Sequence, residues 1–327
     1  MRVVCIFGTR PEAIKMAPVV RELQKRPGDF QVRTCATAQH RHMLDQVLDL
    51  FGIEPDVDLD LMQANQTPTQ VAARVLASLE PVLEAERPDW VLVQGDTTTV
   101  LAAAIAAHHL HMRVGHVEAG LRSGDRWNPF PEEMNRVLAD HLSDICFAPT
   151  RRARQNLLRE GIPEGAIRVT GNTVVDALLW VAGQPLTSAT LTLLGAIGIN
   201  GSHAGSYRQP ENRGRKLILV TAHRRESFGR PLECICSALR QIARKGKGEL
   251  HIVYPVHPNP RVFEPVHCLL DNVPHVTLLP PVDYLTLVHF NDPDAYAAMA
   301  HPVNPYGDGH AAERIVQALL ERSGDGR

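Results

Sequence analysis

Short runs of β-branched and apolar residues alternate along the chain with longer segments whose apolar positions recur at helical spacing. Arg2 to Phe7, Gln31 to Ala36 and Trp90 to Gln94 predict strands, and the segments Ala13 to Lys25, His42 to Phe51 and Thr98 to His108 predict helices. The alternation continues through the strand Arg113 to Val117, the helix Glu132 to His141, the strand Ile145 to Ala148, the helix Arg151 to Arg159 and the strand Ile167 to Thr170. Strand and helix in turn are the mark of βαβ units around a parallel sheet; six strands are located in this series, and a first domain of seven is expected. Between Gly183 and Gly214 the periodicity fails, and Gly, Ser, Asn and Pro become frequent in Gly195 to Gly214, which predicts a linker or flexible hairpin. A second series follows: strand Leu217 to Thr221, helix Arg230 to Arg244, strand Leu250 to Val256, helix Arg261 to Leu270, strand His275 to Leu279 and helix Tyr284 to Phe290. The expected class is α/β, with two doubly wound, Rossmann-like domains facing a cleft and the second one truncated. The boundaries fall at residues 1–182, a linker 183–214, an incomplete domain 215–303 and a tail 304–327.

Composition narrows the function without naming it. A chain of 327 residues exceeds one ordinary core. Lys plus Arg total 34 against 36 for Asp plus Glu, so no net field draws the molecule to nucleic acid or an anionic membrane, and any anion must be held locally. No signal-peptide core follows Met1-Arg2, and the apolar stretch Leu101 to Ala107 is far short of a membrane span, so a cytoplasmic protein is expected. The six cysteines have neither disulfide nor zinc spacing and read as buried thiols. Sixteen histidines include no H-E-x-x-H pattern, and His108, His109 and His111 cannot share one helical face, so no metal site is expected.

The candidate chemistry falls just after strands, where ligands of parallel sheets bind. Gly8-Thr9-Arg10-Pro11-Glu12 opens a helix with a tight turn, a guanidinium fork at Arg10 and Lys15 one turn on, which predicts a phosphate-binding turn. It lacks the G-x-G-x-x-G pattern of dinucleotide sites. Gln94-Gly95-Asp96-Thr97 and His116-Val117-Glu118 place carboxylates at two strand ends, a plausible acid and base pair, although Asp96 or Thr97 also suits a helix cap. Glu132 and Arg136 stand at the i,i+4 spacing of an ion pair. His223-Arg224-Arg225 ends the first strand of the second series and predicts an anion site, with His257 in a similar place after the next strand.

These segments, taken in order, resemble the non-hydrolysing UDP-N-acetylglucosamine 2-epimerases. The resemblance rests on Gly8-Thr-Arg-Pro-Glu, Gln94-Gly-Asp-Thr-Thr-Thr, Gly115-His-Val-Glu-Ala-Gly-Leu-Arg, Pro131-Glu-Glu-x-Asn-Arg, Val169-Thr-Gly-Asn-Thr-Val-Val-Asp and Thr221-Ala-His-Arg-Arg-Glu-Ser-Phe-Gly. It continues in Val256-His-Pro-Asn-Pro, Pro280-Pro-Val-Asp-Tyr-Leu and Asn304-Pro-Tyr-Gly-Asp-Gly. It implies a GT-B-like fold whose last helix returns to the first domain. It also implies a reaction in which UDP leaves as the C2 proton is removed, giving 2-acetamidoglucal, and then adds back with C2 reprotonated on the other face. No cofactor is implied. By position, Asp96, Glu118 and Glu132 match the proton-transfer carboxylates, Arg136 and His223 the groups near the leaving diphosphate, and Arg10 and Lys15 substrate-binding positions. Gln39-His40-Arg41 resembles a segment that helps bind a second substrate molecule as activator. A homodimer serving surface-polysaccharide synthesis is also implied.

The sequence departs from that family after Phe290. The family has there a strand, a Ser-Gly-Gly turn with acidic residues, a helix, a further strand and an arginine-bearing loop, whereas Phe290 runs straight into Asn291-Asp292-Pro293. The departure predicts weak UDP binding and low turnover. Three alternatives to the epimerase remain at this stage: a sugar-nucleotide-binding remnant without catalysis, a hydrolysing epimerase and a GT-B glycosyltransferase.

Overall fold

The structure, a computed structural model, describes residues 1–37, 41–61, 63, 66–196, 216–223, 227–246, 249–289 and 306–322. Gln39, His40, Arg224, Arg225, most of the expected linker and the junction at Phe290 lie outside the described residues. The chain divides into two compact units, Met1–Trp180 with Pro302–Arg327, and Val181–His301.

The first unit holds one parallel sheet in the order β3-β2-β1-β4-β5-β6-β7. Its strands are β1 Arg2–Phe7, β2 Gln31–Ala36, β3 Val57–Asp58, β4 Trp90–Gln94, β5 Arg113–Val117, β6 Ile145–Ala148 and β7 Ile167–Val169. Strands covered on both faces must be apolar on both, which is why RVVCIF and WVLVQ read as runs rather than alternations. Its helices are α1 Arg10–Gln24, α2 Arg41–Phe51, α3 Pro68–Glu86, α4 Thr98–His109, α5 Glu132–Leu142, α6 Arg151–Arg159 and α7 Thr173–Ala182. The pattern of apolar positions had pointed to neither β3 nor α3. Thr67 starts α3 by accepting from the Gln70 amide at 3.2 Å while the Gln70 side chain accepts from the Thr67 amide at 2.9 Å, with Pro68 at the first helical position. Val75, Leu79 and Leu83 of α3 share a core cluster with the alanine-rich face of α4 and with β1 and β4. Truncating the fully buried Leu79 to Ala should cost about 2–5 kcal/mol.

The motif Val169 to Asp176 anchors the last described helix, α12 Ala311–Glu321, which packs on α1. The Asn172 amide donates to the Tyr306 carbonyl at 2.6 Å, and Arg314 donates to the Thr170 carbonyl at 3.0 Å. Gly171 has φ +94°, and a Cβ there would stand 3.1 Å from the Tyr306 carbonyl oxygen, so the approach needs glycine. Asp176 accepts from the Ala312 amide at 2.9 Å, placing a carboxylate at the positive end of α12. Burial nonetheless raises its pKa above the ordinary carboxylate value.

The second unit holds a parallel sheet in the order β10-β9-β8, from β8 Lys216–Leu219, β9 Leu250–Pro255 and β10 Val276–Leu279. It carries α8 Ser188–Ala196, α9 Arg230–Lys245, α10 Pro260–Leu270 and α11 Tyr284–His289. The helix α8 corrects the expectation of a loose linker from residue 183: Thr187 caps it through the Thr190 amide at 3.1 Å, and the buried Thr190 hydroxyl meets that of Thr286 at 2.9 Å. Leu232, Cys236, Ile252, Tyr254, Val262 and Val266 form the core of this unit. The cysteine expectation also needs correction, because Cys234 and Cys268, on α9 and α10, are exposed.

Candidate active site

The strand order of the first sheet reverses between β1 and β4, and a crevice opens outside the carboxyl ends at such a point. There a cavity of about 150 Å³ is lined by Thr9, Glu12, Lys15, Gln94, Asp96, Glu118 and Arg136 among others. Pockets that enclose a whole drug-sized ligand run to about 300–1,000 Å³. The cavity of the first unit by itself therefore fits a sugar-sized portion of a ligand.

The register of β4 and β5 sets the two carboxylates side by side. Gln94 lies opposite Val117, and the Gly95 amide donates to the Val117 carbonyl at 3.1 Å, so Asp96 and Glu118 leave adjacent strand ends together. Lys15 forms an ion pair with Glu118 Oε2, and the Gln94 side-chain amide donates to the same oxygen. Glu118 itself has φ +70°, a left-handed conformation that costs a non-glycine residue of order 1–3 kcal/mol and tends to mark functional positions. Two residues on, Gly120 has φ +82°, and a Cβ there would lie 2.9 Å from the Ala153 carbonyl carbon, which fixes glycine at that point. Asp96 receives Arg136 Nη2 at 2.6 Å, and Asn135 donates to its carbonyl at 3.0 Å. Arg136 thus serves Asp96, and Glu133 at 3.7 Å, in place of the expected partner Glu132.

Two residues that hold the site had no role in the sequence reading. Glu12 is buried and accepts from the amides of Gly8 at 2.5 Å and Thr9 at 2.9 Å, and from the Thr97 hydroxyl. Burial lifts its pKa above the usual carboxylate range, against the pull of those hydrogen bonds. The turn expected to bind phosphate therefore spends the amides of Gly8 and Thr9 on its own carboxylate. The signal was in the sequence: Thr9-x-x-Glu12 before an apolar run is the pattern of a capping box. The second residue is His116, fully buried, with Nδ1 2.6 Å from Asp140 and Nε2 2.7 Å from the Gly95 carbonyl. Asp140 also takes Arg122 at 2.7 Å and the Gly120 amide at 3.1 Å, and Arg122 is clamped by Glu160 at 2.5 and 2.8 Å.

The cavity brings together Lys15, Asp96, Glu118 and Arg136 of the expected set. Arg10, at the start of α1, and Glu132, at the start of α5, are half-buried and are not among its lining. His223 belongs to the second unit, exposed at the carboxyl end of β8, where its ring stacks on that of His257 with centroids 5.1 Å apart. Packing around the His257 ring, then the charge of His223, lowers the His257 pKa. Its Nδ1 accepts from the Asn259 amide at 3.1 Å, which leaves Nε2 to donate.

A family profile described as UDP-N-acetylglucosamine 2-epimerase matches residues 21–292. A Salmonella typhimurium protein of that name is 43% identical over 380 aligned positions, covering 98% of this chain and 98% of the relative. Because the chain has 327 residues, that alignment sets segments of the relative opposite gaps. The crystal structure of the Neisseria meningitidis UDP-GlcNAc 2-epimerase bound to UDP-GlcNAc superposes with a TM-score of 0.85 at 36% identity, covering 98% of this chain and all of that one. A Staphylococcus aureus protein, solved with UDP, gives a TM-score of 0.82 at 33% identity, covering 98% and 96% of the two chains.

Proposed function

We propose that this chain, which belongs to the UDP-N-acetylglucosamine 2-epimerase family, interconverts UDP-N-acetylglucosamine and UDP-N-acetylmannosamine by inverting C2 of the sugar. The observation that carries the reading is the pair of carboxylates at adjacent strand ends, each already tied to a cation, Asp96 to Arg136 and Glu118 to Lys15. Two groups of one chemical kind suit a reaction that takes a proton from one face of a carbon and returns it to the other. A carboxylate removes the C2 proton. The C–H electron pair becomes the C1–C2 double bond of 2-acetamidoglucal as the C1–O bond breaks and its pair departs with UDP. Re-addition of UDP at C1, with a proton delivered to the opposite face of C2, closes the cycle without net oxidation. Asp96, Glu118 and Glu132 share the proton transfers, Arg136 and His223 stabilise the charge growing on the diphosphate, and Arg10 and Lys15 bind substrate.

Incubation with UDP-N-acetylglucosamine in heavy water tests this. Deuterium should appear at C2 together with UDP-N-acetylmannosamine, and Asp96→Asn or Glu118→Gln should slow both by about 10²–10⁴-fold. Free N-acetylmannosamine as the only new sugar would make the enzyme a hydrolase, and binding with no exchange would make it a remnant. The reading extends to a homodimer in the cytoplasm serving surface-polysaccharide synthesis. No described helix is long and apolar enough to cross a membrane, and light scattering measures the oligomer directly.

A further inference from the structure

The buried His116 lies outside the cavity lining, yet its position constrains the residue on which the chemistry depends. Nε2 faces the Gly95 carbonyl, an oxygen that only accepts, so that nitrogen carries a proton. Nδ1 faces Asp140, whose other oxygen already accepts from Arg122 and the Gly120 amide, the surroundings of an ionised carboxylate, so Nδ1 carries a proton as well. A ring with donors at both nitrogens is an imidazolium. The charged groups around it balance: Asp140 on α5 and Glu160 beyond α6 are anions, and Arg122 after β5 is the second cation. A further titratable neighbour, Cys146 on β6, donates its thiol to the Asp140 carbonyl at 3.6 Å, and burial keeps that thiol protonated.

The Gly95 carbonyl belongs to the peptide unit that leads into Asp96. A peptide unit is planar, so fixing its oxygen fixes the nitrogen of Asp96. The next carbonyl, that of Asp96 itself, is held by Asn135, and its carboxylate by Arg136. All three restraints trace to α5, through Asn135, Arg136 and Asp140. We propose that His116 is a positioning residue, held as an imidazolium between Asp140 and the Gly95 carbonyl, that sets the peptide plane entering Asp96 and so aims this carboxylate at the reacting carbon. The proposal rests on the reading of Asp96 as a proton-transfer group for its consequence in catalysis, while the ring's charge and the geometry of the turn are measurable without any turnover.

The first measurement is nitrogen NMR of the imidazole rings in the full chain, with the His116 signals identified by their absence from His116→Gln. Both ring nitrogens should stay in the protonated range as pH rises through the ordinary imidazole value of about 6.5, and a ring that loses its proton there overturns the assignment. The second compares two variants. A glutamine amide reaches about as far as Nε2 and an asparagine amide about as far as Nδ1, so His116→Gln keeps the bond to Gly95 and His116→Asn keeps the bond to Asp140. The Asp96 backbone amide resonance should stay near its native position in the Gln variant and move in the Asn variant. With substrate, kcat should fall about a hundredfold further for Asn than for Gln, with KM nearly equal in the two, since small misplacements of a reacting group cost about that much. A merely structural role predicts losses that follow thermal stability, alike in both variants, and that result would sink the proposal. Absence of C2 exchange in the native protein would count against the epimerase reading alone, because the ring nitrogens and the Asp96 amide still decide the positioning claim.

Discussion

The two units treat their polar groups differently. In the first, Val3 to Phe7 of β1 and all of β4 are fully buried, and the carboxylates that follow β4 and β5 are tied by bonds that cross long stretches of sequence, as between Lys15 and Glu118. In the second, β10 is only half-buried at three of its four positions, and the candidate ligand groups His223 and His257 are exposed. The difference teaches that the proton chemistry proposed for Asp96 and Glu118, which needs fixed distances, would draw on the buried central strands of the first sheet. The nucleotide-capturing role proposed for His223 would fall to a thinner scaffold, in a chain shorter than the alignments to its relatives.

The largest effect that would sharpen this contrast lies in the first unit. Asp96→Asn or Glu118→Gln should lower C2 proton exchange by about 10²–10⁴-fold, the usual contribution of a positioned acid or base, and EDTA should leave the native rate unchanged. Loss of exchange on chelation would break the carboxylate assignment. Next in size is the nucleotide itself. On the expectation that the chain lacks the Ser-Gly-Gly helix start of the family it resembles, about three hydrogen bonds to a charged group would be lost, each contributing about 1.5–3 kcal/mol, which is more than about a thousandfold in affinity. Titration calorimetry should therefore find UDP binding near millimolar, and micromolar binding with normal turnover would show that other residues replace the missing turn. A smaller effect, about tenfold in kcat with less change in affinity, is expected for Arg136→Lys, which keeps the charge but loses the fork shared between Asp96 and Glu133. Equal changes in both constants would reduce Arg136 to a substrate anchor.

The smallest expected effect is on stability against pH. Burial disfavours charge on His116, but Asp140 outweighs it and holds the imidazole above its ordinary value, while Asp140 is itself held low. The His116 contribution is complete below about pH 6.5 and is lost as pH rises through the raised value; that of Asp140 is complete above about pH 3.9 and is lost as pH falls through the lowered one. Melting of the first unit should peak between those limits, and His116→Gln should flatten its alkaline decline. An alkaline slope identical in the variant would remove His116 from the account.

Most of the first sheet was legible because strands covered on both faces carry uninterrupted apolar runs, as in Trp90 to Gln94. A strand of two residues, Val57–Asp58, carries no such pattern. The carboxylates Asp96 and Glu118 were legible because they follow strands. Their restraints were not, since the bonds from His116 to Gly95 and from Arg136 to Asp96 depend on the pairing of β4 with β5 and on the placement of α5. In the second unit, α8 was hidden by a run of Thr and Leu without helical contrast, and its packing through Thr190 and Thr286 joins residues far apart in sequence.

The docking of α12 on α1 also sets an order of events at birth. Arg10–Gln24 leaves the ribosome about 300 residues before the helix that packs on it, Ala311–Glu321. At about 5–20 residues per second the interval is on the order of 15–60 s. Through that time α1 can pack on β1, β2 and α2 but lacks the cover of α12, and the bonds from Asn172, Asp176 and Arg314 that seat the closing segment have yet to form. A nascent chain stalled before residue 306 should thus be a client of chaperones, and the final seventeen described residues act as the clasp that releases it.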